Sequence, residues 1–197
     1  MPAFRVVVLA SGTGTLFQAL TDASADGAFD VVGLICDKTS PVIQRAVSAG
    51  VRHVVVEVGA DRDEWDKALV NAITAFTPDL IVSAGFMRIL GPEVLRHFEG
   101  RIINTHPALL PAFPGAHAVR DALEAGVVAT GCTIHFVDAG VDTGQVIVQQ
   151  SVAILPTDTQ ESLHERIKSV ERALLIKTVS QCAAGEIPMH IKEVQAT

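Results

Sequence analysis

The sequence has no tyrosine, a single tryptophan and few basic residues: 15 lysines and arginines stand against 22 acidic residues, for a formal net charge of −7. Proteins bind nucleic acid through basic patches and, for single strands, through exposed aromatic side chains that stack on the bases. The composition favours neither mode, so we expect no nucleic-acid partner. It does not exclude a small anionic substrate, because a local site can bind one whatever the net charge.

Cysteines and long apolar runs are also scarce. Cys36, Cys132 and Cys182 are far apart in the chain and match no disulfide or metal-ligand spacing, so we expect each to be a small core residue. No apolar run approaches the ~20 residues that cross a bilayer, and the first residues lack the basic start and the cleavage site of a secretory signal. We therefore expect a cytoplasmic protein with no membrane partner.

Hydrophobic residues make up 49% of the chain and recur in short runs that predict buried strands. These runs lie at 4–10, 31–36, 51–56, 78–85 and 102–103. Helical segments separate them, whereas two later segments, 132–137 and 144–150, alternate in polarity with no helical run between them. The pattern predicts an α/β fold in one domain over 1–197, a single doubly wound, mostly parallel sheet with helices on both faces and an antiparallel edge near the C-terminus.

The first predicted strand leads into a glycine loop, Ser11-Gly12-Thr13-Gly14-Thr15, which a helix follows. This arrangement directs backbone N–H groups and a helix dipole at an anion. The loop lacks the Gly-Lys-Ser/Thr ending of a triphosphate loop and the third glycine of a dinucleotide loop. It therefore predicts a site for a single phosphate, and the alternative is a tight turn without a ligand.

A polar pair ends the fifth predicted strand. Asn104 and His106 are two residues apart, so their side chains point to the same side if the strand continues that far. Three prolines and a glycine within 107–115 then exclude regular structure and stiffen the loop. An amide donor and an imidazole held together can polarise a carbonyl and move a proton. The alternative is that Asn104 caps a turn and His106 has no chemical role.

Two further loops have compositions that suit a site. The apolar pentad 86–90, with Arg88 at its centre, either forms the wall of a pocket for a flat ring or packs as a hydrophobic plug under the next helix. The loop 138–144 is either a plain hairpin turn or a carrier of Asp142, which the hairpin can fold towards His106. Because the glycine loop, the pentad and 104–107 all follow the carboxyl ends of strands, we expect them to line one crevice.

Position alone assigns little to three other charged residues. Arg62 begins a helix, where a charge is usually solvated. Lys168 and Glu171 are three residues apart on the last helix, and a surface ion pair between them would contribute a few tenths of a kcal/mol. A zinc site made from His106, His117, His135 and Asp142 would lack the short paired spacing of zinc ligands, so we expect no metal.

Together these segments resemble those of the phosphoribosylglycinamide formyltransferases, or glycinamide ribonucleotide transformylases. The resemblance rests on 84–90, 104–111, 113–115 and 142–144, and it runs nearly end to end. It implies formyl transfer from the co-substrate 10-formyltetrahydrofolate to the primary amine of 5′-phosphoribosylglycinamide in purine biosynthesis. It further implies an N-terminal half that binds the ribonucleotide, a C-terminal half that binds folate and carries out catalysis, and a plausible homodimer.

The resemblance also implies roles for individual residues. Asn104, His106 and Asp142 match the family's catalytic trio. The matching ribonucleotide-binding positions are Gly12, Thr13, Gly14, Thr15, Leu16, Lys168 and Glu171. The matching folate-binding positions are Arg62, Met87, Arg88, Ile89, Leu90, Asn104, Val137, Asp138, Gly140 and Asp142. The family usually has asparagine where this chain has Leu16, so we expect a backbone contact there.

Formyl transfer to an amine is an acyl transfer, in which negative charge develops on the formyl oxygen. We expect Asn104 and His106 to donate hydrogen bonds to that oxygen, and Asp142 to favour protonated His106 and to relay a proton directly or through water. The alternatives are a formyltetrahydrofolate hydrolase, a methionyl-tRNA formyltransferase and a non-catalytic module that binds a phosphoribosyl ligand. The first two usually carry a further domain, for which 197 residues leave no room.

Overall fold

A computed structural model describes residues 3–189 of the chain. The strands are β1 (Phe4–Ala10), β2 (Phe29–Cys36), β3 (His53–Val55), β4 (Leu80–Ser83), β5 (Ile102–His106), β6 (Ala129–Phe136) and β7 (Val146–Ala153). The helices are α1 (Thr15–Ser24), α2 (Val42–Ser48), α3 (Arg62–Thr74), α4 (Pro92–His97), α5 (Ala118–Glu124) and α6 (Gln160–Ala183). None of the described helices is both long and apolar enough to cross a membrane.

All seven strands belong to one sheet with the order β3-β2-β1-β4-β5-β6-β7. The first five pair in parallel, and β6 and β7 add to the edge in antiparallel fashion. This confirms the predicted mixed sheet. The chain runs outward from β1 to β3 and returns to β4 on the other side of β1, so the strand order reverses between β1 and β4. Open α/β sheets bind ligands outside the carboxyl ends of the strands at such a point.

The core lies on both faces of the sheet, which explains the near-continuous apolar runs of the inner strands. In β1, Val6, Val8 and Ala10 pack into one buried cluster with α1 and α6, whereas Val7 and Leu9 pack into the other with α3. Burying an aliphatic side chain contributes roughly 1.5–3 kcal/mol, so β1 is held firmly from both sides. All three cysteines are buried and unpaired, as predicted for core residues.

Two of the parallel strands are shorter than predicted. β4 ends at Ser83 instead of 85, because Gly85, with φ of 70°, turns the chain out of the sheet. β3 covers only His53–Val55 of the predicted 51–56. α4 begins with a proline one residue after the pentad, and Asp66 of α3 accepts the backbone N–H groups of Gly91 and Glu93 at its start. The pentad is therefore a fixed link between β4 and α4.

Candidate active site

The structure brings the glycine loop and the pentad segment into direct contact. The backbone N–H of Ser11 donates to the carbonyl oxygen of Gly85 at 3.1 Å, and the Met87 N–H donates to the Ser11 hydroxyl at 2.9 Å. Asn104 pairs with Ser83 at the end of β4, so the end of β5 lies next to the start of this segment. The predicted clusters therefore meet at the carboxyl edge of the sheet.

Asn104, His106 and Asp142 converge although they are remote in the chain. The Nδ1 of His106 lies 3.3 Å from Oδ2 of Asp142, and the Nδ2 of Asn104 lies 3.4 Å from its Oδ1. Asn104 and His106 alternate with Thr105 on β5 and so face the same side, as predicted. The backbone N–H of Gly115 donates to Oδ2 of Asp142 at 2.8 Å, which fixes the hairpin against the proline loop.

Each ring nitrogen of His106 faces an acceptor. Its Nε2 lies 2.7 Å from the carbonyl oxygen of Phe113, while its Nδ1 faces the Asp142 carboxylate. Both partners can only accept hydrogen bonds, and a neutral imidazole carries one N–H. A protonated ring therefore donates to both partners, whereas a neutral ring donates to one. Because the His106 side chain is 5% exposed, a positive charge on it would need the nearby carboxylate.

The Asp142 carboxylate stays ionised at neutral pH. A hydrogen bond from His135 is the largest influence that lowers its pKa, and the Gly115 N–H and the positive charge of His106 add to it against the opposing effect of burial. The pKa falls from 3.8 to about 2. The contribution of this carboxylate to the stability of the folded protein is complete above its ordinary pKa of 3.8 and is lost as the pH falls through about 2. The carboxylate is therefore negatively charged at neutral pH.

His135 belongs to this cluster, although the sequence singled it out only within a rejected metal set. β6 pairs antiparallel with β5 and sets His135 opposite Asn104. The buried ring places Nε2 3.2 Å from Nδ2 of Asn104 and 3.5 Å from Oδ1 of Asp142, and its Nδ1 lies 2.8 Å from the Phe136 carbonyl oxygen. His135 thus orients both the amide and the carboxylate.

We expect His135→Ala to lower kcat about 10- to 100-fold, since leaving a buried polar group without its partner costs about 1–3 kcal/mol. The KM for a ligand at the glycine loop should change little, because His135 does not contact that loop. Steady-state kinetics check both values. A kcat within twofold of the unmodified protein would show that Asn104 and Asp142 keep their positions without this ring.

The glycine loop has the geometry of an anion site. Gly14 adopts φ of 73° immediately before α1, and no side chain caps the helix, so the first-turn N–H groups are free of intrahelical partners. The Arg45 Nε donates to the Thr13 carbonyl oxygen at 2.8 Å and the Val42 N–H donates to that of Gly12 at 3.2 Å, which together hold the loop. Leu16 is buried in the core, and the backbone contact expected at this position stays a prediction.

The two loop glycines should respond differently to substitution. A Cβ at Gly12 would meet no heavy atom within 4 Å, whereas one at Gly14 would overlap with the Val42 side chain. We expect Gly12→Val to leave Tm nearly unchanged and to raise KM for a phosphorylated substrate about tenfold or more. The added side chain would keep the phosphate away from the N–H groups of the loop, and hydrogen bonds to a charged group contribute about 1.5–3 kcal/mol.

Gly14→Ala should instead lower the free energy of unfolding by about 1–3 kcal/mol through overpacking. Thermal melts and kinetics separate these outcomes, and a lower Tm with an unchanged KM in Gly12→Val would contradict the assignment.

The pentad combines both of the predicted alternatives. Phe86 and Leu90 are buried, and the Phe86 ring stacks on Trp65 at 6.4 Å. Met87 and Ile89 are each 65% exposed at the crevice edge of the sheet. The two ends of the segment are therefore buried in the core, and its two exposed apolar side chains lie at the edge of the crevice.

Side chains from neighbouring elements hold the pentad backbone. The Arg62 guanidinium donates to the Ile89 carbonyl oxygen at 2.7 Å and lies over the Trp65 ring at 4.4 Å. Arg62 is thus placed beside the pentad, and its expected contact with folate stays a prediction. Arg88 forms an ion pair with the buried Asp37 at 2.6 Å, a contact that the sequence analysis missed.

The hairpin that carries Asp142 is shaped by its own side chains. Oδ1 of Asp138 accepts the Gly140 N–H at 3.0 Å and the Thr143 hydroxyl at 2.7 Å. The Val137 N–H donates to the Ile102 carbonyl oxygen at 2.9 Å, which anchors the start of the loop on β5. Asp138 therefore supports the loop that positions Asp142.

The alternative of a surface ion pair between Lys168 and Glu171 is wrong. Lys168 pairs with Glu165 at 2.8 Å, and Glu171 is buried and accepts a hydrogen bond from the Thr105 hydroxyl. Burial raises the pKa of Glu171 above its ordinary value, and the Thr105 bond opposes that rise. Thr105 points to the opposite side of β5 from His106, so Glu171 approaches β5 from the other side and does not contact the trio. Among the described residues, no cluster of histidine, cysteine and carboxylate side chains is arranged to hold a metal ion.

Comparison with known proteins places this chain in a family. The family described as formyl transferase matches residues 4–179. The chain is 52% identical over 182 residues to a phosphoribosylglycinamide formyltransferase of Mycobacterium tuberculosis, which covers 91% of this chain and 85% of the relative. The corresponding protein of Escherichia coli is 36% identical over 191 residues, which cover 94% and 90% of the two chains.

A solved structure gives the same result at the level of the fold. Glycinamide ribonucleotide transformylase 1 from Symbiobacterium toebii superposes with a TM-score of 0.92 at 39% identity and covers 97% of this chain and 92% of its own. The likeness therefore extends over the whole sheet and over every element that contributes to the crevice. The chain belongs to the formyl transferase family.

Proposed function

We propose that this protein is a phosphoribosylglycinamide formyltransferase, which transfers the formyl group of 10-formyltetrahydrofolate to the primary amine of 5′-phosphoribosylglycinamide. The observation that carries this conclusion is the convergence of Asn104, His106 and Asp142 beside a glycine loop suited to one phosphate. Similarity to named formyltransferases over more than nine tenths of the chain supports it. A cytoplasmic location, a homodimer and the absence of a nucleic-acid partner stay predictions.

The two substrates are assigned to opposite parts of the crevice. The glycine loop and Lys168 bind the phosphate of the ribonucleotide, and Glu171 approaches its ribose. The pentad and the loop 137–142 bind the folate ring, with Met87 and Ile89 as apolar walls. Because Arg88 is held by Asp37, we assign its contribution to the backbone of the pentad. Arg62, at the outer end of the pentad, is suited to the acidic tail of folate.

The trio acts on the charges that develop during transfer. The neutral amine attacks the formyl carbon, a C–N bond forms, and negative charge appears on the formyl oxygen while the amine nitrogen becomes positive. The Asn104 amide and the His106 imidazolium stabilise that oxygen, and donation by His106 requires its Nε2 to exchange the Phe113 carbonyl oxygen for the formyl oxygen. The Nδ2 of Asn104 donates one proton to Oδ1 of Asp142, so donation to the substrate uses its second amide proton.

Collapse of the tetrahedral intermediate breaks the bond to the folate nitrogen, which leaves with a proton. The amine nitrogen loses a proton during the same reaction, so the reaction neither consumes nor releases a proton. A carboxylate with a pKa of about 2 is a weak base. We therefore assign to Asp142 mainly the stabilisation of charged His106, with a water molecule carrying the proton between the two nitrogens.

The proposal is tested by following the absorbance change as 10-formyltetrahydrofolate loses its formyl group, with and without glycinamide ribonucleotide. We expect turnover only when both substrates are present. Loss of the formyl group at the same rate without the ribonucleotide would indicate a formyltetrahydrofolate hydrolase. Binding of both ligands without turnover would indicate a non-catalytic module.

A further inference from the structure

Ser11 connects two parts of the site that bind different substrates in the proposed function. It is the first residue of the glycine loop and is buried. Its backbone N–H donates to Gly85 and its hydroxyl oxygen accepts from the Met87 N–H, so it is hydrogen-bonded twice to the segment that carries the pentad. A movement of the glycine loop at Ser11 is therefore transmitted to the pentad.

Asp37 holds the neighbouring residue of the same segment. It follows β2, and its side chain is 1% exposed while its Oδ2 accepts from the Arg88 Nε at 2.6 Å. Burial acts to raise the pKa of Asp37, but the nearby Ser11 hydroxyl and Arg88 hold it below its ordinary value. The carboxylate thus stays charged and fixes Arg88, which is bonded covalently to Met87, the residue that donates to Ser11.

The other end of the pentad is held independently. Arg62 donates to the Ile89 carbonyl oxygen, and the Asp66 carboxylate accepts the Gly91 N–H at 3.0 Å. Both residues belong to α3, and neither of these hydrogen bonds involves the glycine loop. The two ends of the pentad can therefore be perturbed separately.

We propose that Ser11 and Asp37 are positioning residues that couple ribonucleotide binding at the glycine loop to folate binding at the pentad. This inference rests on the function proposed above. A phosphate bound at 11–15 restrains Ser11 and, through the hydrogen bond from the Met87 N–H, also Met87 and the adjacent Arg88, which Asp37 holds in place. A bound folate restrains the same groups from the other side. Two ligands that stabilise one arrangement bind with positive coupling, and the coupling is reciprocal.

The test measures the dissociation constant of a folate that lacks the formyl group, with and without saturating glycinamide ribonucleotide, so that no transfer takes place. Trp65 is the single tryptophan and stacks on Phe86, so its fluorescence reports occupancy at the pentad. In the unmodified protein we expect the ribonucleotide to tighten folate binding about 5- to 150-fold, the usual range for coupled sites. Asp37→Ala should remove most of this factor, and Asp37→Asn should retain part of it, because the amide oxygen still accepts hydrogen bonds.

Asp66→Asn is the matched control. It weakens the hold on the far end of the pentad, so folate binding should become weaker to the same extent with and without the ribonucleotide, and the coupling factor should persist. If Asp37→Ala does not fold, Ser11→Ala takes its place as the test variant, and we expect the same loss of coupling. An unchanged factor in Asp37→Ala or Ser11→Ala, or no coupling in the unmodified protein, would overturn the inference. If the unmodified protein binds neither ligand, the proposed function itself fails, and the coupling fails with it.

Discussion

His106→Ala should abolish measurable turnover, with kcat lower by about 10²–10⁴, the usual contribution of a positioned general acid or base. The substitution removes the imidazolium that stabilises the formyl oxygen and leaves the Asp142 carboxylate without its nearest cation. The dissociation constant of the ribonucleotide should change little, because its phosphate is bound at the glycine loop. Stopped-flow kinetics and calorimetry measure the two quantities.

A matched control is His53→Ala, which removes a histidine from β3 at the far edge of the sheet. We expect that variant to retain normal kcat. A normal kcat in His106→Ala would remove this residue from the mechanism. Equal losses of turnover and of ribonucleotide binding would instead indicate that the variant is misfolded.

Asp142→Asn should lower kcat by about 10²–10³, since breaking a buried ion pair by removing one charge typically costs about 3–5 kcal/mol. The amide has nearly the shape of the carboxylate and can still accept the Gly115 N–H. The loss therefore measures the charge and not the packing. Folate binding should also weaken, because Asp142 belongs to the loop 137–142 that we assign to folate.

The protonation of His106 gives a direct readout of the same substitution. Ring-nitrogen NMR shifts report how many nitrogens of His106 carry a proton, and we expect the doubly protonated fraction to be smaller in Asp142→Asn than in the unmodified protein, because a neighbouring negative charge favours the charged ring. Asp30→Asn, which removes an exposed carboxylate near the start of β2, serves as the control and should change neither kcat nor the spectrum. A kcat within threefold of normal in Asp142→Asn would contradict the role assigned to this charge.

The sheet and the common side of Asn104 and His106 could be predicted because each depends on short-range patterns, whereas the approach of Asp142 was one of two alternatives until the family resemblance favoured it. Strands buried on both faces, such as β1, leave near-continuous apolar runs, and a tight hairpin brings its tip back along the neighbouring strand. The offset of two between Asn104 and His106 fixes their common side once β5 extends to His106. These features need only the local period of the chain and the carboxyl-end rule for parallel sheets.

The missed contacts depend on register and side-chain reach across strands that are distant in sequence. His135 joins the trio because the β5–β6 register sets it opposite Asn104, and no local pattern determines that register. Asp37 and Arg88 meet across β1, and the burial of Glu171 against Thr105 follows from how α6 packs on the sheet. Such pairs become visible only when the strand order and helix packing are known.

The most direct test of the account is a single-turnover reaction with an isotope-labelled formyl group on the folate, followed by mass analysis of the ribonucleotide and of the intact protein. The account predicts that the label moves to the amine of the ribonucleotide in the unmodified protein, that the protein never carries it, and that His106→Ala leaves it on the folate. Release of the label as formate without the ribonucleotide, or a labelled protein intermediate, would contradict direct transfer by Asn104, His106 and Asp142.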